Sequence, residues 1–283
     1  MDKKKIIQPV IFAIIVYIIW ELTGNAAARL ISLVLKRWQV VLPGEYWYML
    51  LSEMSSWLLF IIIFCKYIKN NKIFYSSWNI KYIWFFMPVV LQVLNDICTL
   101  IKGDKVIKLL SPEGIAFVVP CFLGTMSTGL LEETVWRRVI FVNALGKWKD
   151  IKKGVIYAVL FQALLFGLCH YINMLTAGQD FLSTSKQVFS SVCMGVFLAG
   201  IYYNTGKFAV PVIIHGLCNF SNFFMNEMLG WDYNTLKWSG ILQAVTSLLY
   251  LVFGIMAAGN GKQKGSTETA GYGGYNGKCN TGN

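Results

Sequence analysis

Three short clusters in this chain have the residue types and spacing for hydrolytic chemistry. They are Glu132-Glu133-Thr134-Val135-Trp136-Arg137, Phe166-Gly167-Leu168-Cys169-His170 and His215-Gly216-Leu217-Cys218-Asn219. His170 and His215 are the only histidines, and each lies in a long stretch without another charged side chain. Imidazole moves protons near neutral pH, and ionisable groups in apolar stretches mark function by default because they are costly there. Two histidines so placed, with none elsewhere, point to one shared site.

The adjacent carboxylates have different expected roles. On a helix, Glu133 and Arg137 are i,i+4 neighbours and can pair. Glu132 points about 100° away and has no such local partner. One carboxylate is thus held ionised, while the other is free to act as a general base on water. Asn219 follows His215 by four residues, so both project from one helix face. Its amide N–H is suited to a developing oxyanion. Phe166, four before His170, could wall the same pocket.

The elements that carry these residues read as membrane spans. Of the 283 residues, 56% are hydrophobic and 14% charged, against roughly 25% charged in ordinary soluble domains. A span needs about 20 mostly apolar residues. Eight stretches are expected: 6–22, 46–65, 82–101, 114–131, 154–177, 187–206, 208–228 and 238–258. The second contains Glu53 and the third Asp96. Between the first two, Ala26 to Leu42 has the spacing of an amphipathic helix lying in the interface. The fold class is all-α, a polytopic helical bundle occupying residues 1–258.

Charge supports that count. With the N-terminus inside, 17 of the 25 basic residues fall on the cytoplasmic side, as the positive-inside rule requires. Both termini are then cytoplasmic, and Glu132, at the inner end of its span, suggests a cytoplasmic opening. The net charge of +11 suits anionic headgroups, and no basic stripe with stacking aromatics suggests nucleic acid. The seven cysteines show neither CxxC pairing nor metal-ligand spacing. Residues 259–283 contain eight glycines, and this composition predicts a disordered tail. Counting at 1.5 Å per residue puts His170 ~24 Å into its span and His215 ~12 Å past Lys207, so their meeting requires tilted or broken helices.

Taken together, the three clusters resemble the CPBP family, also called the Abi or CAAX-protease-like family of intramembrane endopeptidases. Its pattern is E-E-x-x-x-R, then F-x-x-x-H, then H-x-x-x-N/D, and the resemblance covers about residues 112–228. It implies peptide-bond hydrolysis in a membrane-associated peptide or protein. Glu132 would activate water with help from His170, Glu133 and Arg137 would organise the helix, and His215 and Asn219 would hold the oxyanion. Glu-activated water without metal is the preferred form. His170, His215 and Glu132 could instead complete a three-ligand zinc site with an open position. Relatives that look like bacteriocin-immunity proteins imply a bacterial cell membrane and supply the alternative, a non-catalytic peptide binder.

Overall fold

The computed structural model describes residues 3–71, 86–102, 111–229 and 237–260. These form helices and their connections, with no strand among them. In chain order they are α1 (Lys3–Arg37), α2 (Glu45–Asn70), α3 (Met87–Lys102) and α4 (Pro112–Glu133). A π-helical segment, Thr134–Phe141, joins α4 directly to α5 (Val142–Trp148). Then come α6 (Gly154–Cys169), a 3-10 turn (His170–Ile172), α7 (Asn173–Thr176), α8 (Phe181–Thr205), α9 (Ala209–Leu229) and α10 (Lys237–Asn260). The structure is a helical membrane bundle, with five helices among the described residues long and apolar enough to cross a bilayer. Outward-facing Ile14, Ile18, Ile62, Leu164 and Leu248 are exposed, as expected where lipid rather than water is the neighbour.

Side-chain pairings fix the helix directions. Tyr48 of α2 donates to the Ala28 carbonyl of α1 and Phe12 stacks near Tyr67, so α1 and α2 run antiparallel. Trp57 donates to Thr134 and Tyr67 to the Val139 carbonyl, so α2 runs parallel to α4 and its π extension. Gln162 of α6 donates to the Gly195 carbonyl of α8. Ser247 and Asn204 tie α8 to α10 in a parallel pair. One end of the bundle therefore gathers Lys66 and Lys69 with Lys147, Lys149, Lys152, Lys153 and Lys207. The α6–α8 connection lies at the other end.

Two expected boundaries are corrected. The first span and the interfacial helix are one continuous helix of 35 residues. The chain there has no breaker stronger than Gly24, which faces Ser56 of α2 with room to spare, Ser56 Oγ lying 3.8 Å from an added Cβ. The fourth span does not stop at Glu132, because the helix continues through the π segment to Trp148. The glycine-rich tail lies outside the described residues beyond Asn260, as does the side chain of Asp96.

Candidate active site

Two glycines set the spacing of the site. A Cβ at Gly129 of α4 would lie 2.8 Å from the backbone nitrogen of Gly216 in α9. Only glycine permits that approach, the small-residue contact on which membrane helices associate. One turn beyond Gly129 stands Glu133, and beside Gly216 stands His215.

The consequence is a buried chain of charged groups. Arg137 Nη1 lies 2.8 Å from Glu133 Oε1, with both side chains fully buried. The same Oε1 lies 2.7 Å from His215 Nδ1. Glu133 thus receives a guanidinium and an imidazole together, which offsets the cost of an ionised carboxylate away from water. A carboxylate so placed accepts from Nδ1–H and leaves Nε2 as the working nitrogen. That Nε2 faces Glu132 Oε2 at 3.5 Å, beyond an ordinary hydrogen bond.

Phe166 organises the two histidines. Its ring meets His170 edge-on with centroids 5.2 Å apart, and His215 likewise at 5.7 Å. Arg137 Cζ lies 4.7 Å from the Phe166 ring centroid, where the negative ring face stabilises the cation. His170 sits where α6 gives way to the 3-10 turn, and its Nδ1 lies 2.9 Å from the Phe166 carbonyl. A carbonyl can only accept, so Nδ1 carries a proton, and the neutral form of the ring would present its lone pair at Nε2. The expected mismatch in depth is resolved by the single ring that both imidazoles touch.

Glu132, Phe166, His170, His215 and Asn219 all line one cavity of about 760 Å³. The residues singled out in the three clusters therefore line this cavity, except Glu133 and Arg137, which are fully buried. Its outer lining includes Ala177, Gln179, Ser183, Lys186 and Gln243. These lie at the bundle end opposite the lysine-rich one, so the cavity does not open where the sequence suggested. The cause is the uninterrupted helix from Pro112 to Trp148, which places Glu132 in mid-helix with the π segment below it.

Among the described residues no group of three or more His, Cys, Asp or Glu side chains is placed to hold a metal ion. His215 Nδ1 is bonded to Glu133 and His170 Nδ1 to a carbonyl, which leaves Nε2 as the free nitrogen of each ring. Cys169 and Cys218 are absent from the cavity lining. The Cys169 thiol donates to the Phe166 carbonyl, and Cys218 contacts Gln92 and Tyr250.

Some lining residues were missed in the sequence. Asn222 stands seven residues after His215 and three after Asn219, on the same helix face. Asn173 stands three after His170 in the same way. Both could have been found by extending each motif one turn. Glu53 carried a signal, an acid in an apolar run, but nothing local linked it to Glu132.

Residues 114–221 match the family model described as type II CAAX prenyl endopeptidase Rce1-like. No curated protein and no solved structure matches the chain.

Proposed function

We propose, from the premise that residues 114–221 are an Rce1-like segment of the CPBP family, that this membrane protein is an endopeptidase working by Glu-activated water. The observation that carries this reading is the placement of Glu132. It lies on the wall of a large cavity beside His170, His215 and Asn219, while its neighbour Glu133 is locked in a buried ion network.

In the proposed reaction, water between Glu132 and the scissile carbonyl loses a proton to the Glu132 carboxylate as its oxygen attacks carbon. The tetrahedral oxyanion takes hydrogen bonds from the Asn219 amide and from His215 when Nε2 is protonated. Glu132 then returns the proton to the leaving nitrogen and the C–N bond breaks. The His170 Nε2 lone pair accepts a hydrogen bond from the attacking water and orients it. Glu133 and Arg137 act as positioning residues through His215.

The lining also bears on the substrate. Gln179, Ser183, Gln187, Ser190, Asn222 and Gln243 give the cavity amide and hydroxyl groups along its length. Such groups pair with main-chain N–H and C=O groups, which an isoprenoid tail lacks. We therefore take the substrate to be an extended peptide segment at the membrane, recognised by its backbone.

The test compares wild type with Glu132→Gln in detergent, using membrane-associated peptides and mass spectrometry for new termini, with and without a chelator. Wild type should cleave, and the variant should lose at least about 10²-fold in turnover. Cleavage that survives Glu132→Gln sinks the mechanism. Loss of cleavage on chelation would establish metal use. Equal peptide binding without any cleavage would favour a non-catalytic binder.

A further inference from the structure

We propose that the space between α1 and α2 is the path by which hydrolytic water reaches Glu132 once a peptide fills the larger cavity. This rests on the reading of Glu132 as the base. Glu132 lines two cavities. The second, of about 300 Å³, lies between α1 and α2 and is lined by Glu21, Asn25, Ser52, Glu53 and Ser56 together with Glu132.

The chemistry of that lining selects water. Three carboxylates face one space, and no basic side chain is among the lining residues. Charged or protonated, these groups need hydrogen-bonding partners inside an apolar bundle. Ser56 is 1% exposed, and its hydroxyl has no hydrogen-bond partner among the described residues. Water satisfies both, donating to the carboxylates and accepting from the hydroxyl. The volume far exceeds the roughly 15 Å³ that one water requires.

The two-sided arrangement solves a problem of supply. A peptide seated against His170 and Asn219 displaces water from the large cavity, yet hydrolysis consumes one water per turnover. Glu132 is the group common to both spaces. A water approaching from the Glu53 side meets the base without crossing the substrate, and the cut ends leave by the larger opening.

Gly24 allows this path to be plugged. A Cβ added there meets only Ser56 Oγ, at 3.8 Å, so larger side chains can project into the space without striking backbone. In the series Gly24→Ala, Gly24→Val, Gly24→Leu, kcat should fall stepwise, by about tenfold at leucine, with KM within about twofold. Leu22→Phe, on the exposed face of the same helix, should leave both constants unchanged. Hydroxyl-radical labelling gives a readout independent of turnover. Trp20, which also lines the space, should be labelled in wild type and protected in Gly24→Leu. Unlabelled Trp20 in wild type, or constant kcat along the series, overturns the water path. An inactive wild type with labelled Trp20 instead overturns the peptidase reading, and with it the hydrolytic use of that water. The label distinguishes this result from a dry gap.

Discussion

His215 Nδ1 lies 2.7 Å from Glu133 Oε1, although 82 positions separate the two residues. The glutamate beside the proposed base therefore does more than pair within its own helix. It fixes the tautomer of an imidazole carried by another helix.

That contact makes Glu133→Gln a test of the network. The amide removes the charge that compensates Arg137, leaving a buried guanidinium. Breaking a buried pair in this way costs about 3–5 kcal/mol. The double variant Glu133→Gln/Arg137→Met should recover much of that loss, because it leaves no uncompensated charge. Thermal unfolding in detergent would read the coupling. Simple additivity of the two changes would show that Arg137 and Glu133 do not act as one unit.

Asn219→Ala addresses the oxyanion. Loss of one such donor lowers kcat by about 10²–10³, and KM should stay nearly constant because the bond strengthens only in the transition state. A rise in KM with unchanged kcat would instead assign Asn219 to substrate binding.

Gly129→Val probes the glycine contact between α4 and α9. Its side chain would strike the backbone of Gly216, and overpacking of this kind costs about 1–3 kcal/mol. The helices must separate, which lengthens the His215–Glu133 contact. Activity should disappear while helical circular dichroism persists. Retained activity would mean that the crossing tolerates displacement.

Asp180 supplies a pH prediction at the end of the bundle where the cavity opens. Its Oδ1 accepts the N–H groups of Leu182 and Ser183 and caps α8. The Ser183 side-chain hydrogen bond, followed by these backbone bonds, holds the carboxyl below the ordinary carboxylate range. A depressed carboxylate contributes stability that is complete above its unfolded value, about 3.9, and lost as pH falls through the folded value. Hydrogen-exchange protection of the first turn of α8 should therefore decline below about pH 4. Asp180→Asn, which keeps the cap without the charge, should abolish that decline.

The helical bundle was legible in the sequence because apolar length alone demands it, and five of the helices meet that demand unaided. The three clusters were legible because each contains a pair one turn apart, a distance that sequence spacing encodes. Glu133 with Arg137, and His215 with Asn219, are of this kind. The Glu133–His215 contact was not legible, since it depends on two glycines in different helices whose local sequence gives no sign of meeting. The continuous α1 was missed for a related reason. A polar stripe from Ala26 to Leu42 looks the same whether it faces headgroups or the next helix, and here Ser32 lies 3.1 Å from Tyr48 of α2. The π segment has no simple sequence signal, yet it follows the two glutamates directly, as π insertions commonly accompany functional positions.

The length of α1 has a consequence of its own. Thirty-five residues make a rod of about 52 Å, whereas a hydrocarbon core is about 30 Å thick. The excess is taken up by leaning or by standing clear of the acyl chains, and bilayer thickness sets the balance between the two. Trp20 of α1 rests on Trp136, which in turn rests on Phe166 between the two histidines. A change of lipid chain length should therefore be felt at the imidazoles through this ring-to-ring contact, from a helix that lends no side chain to the three clusters.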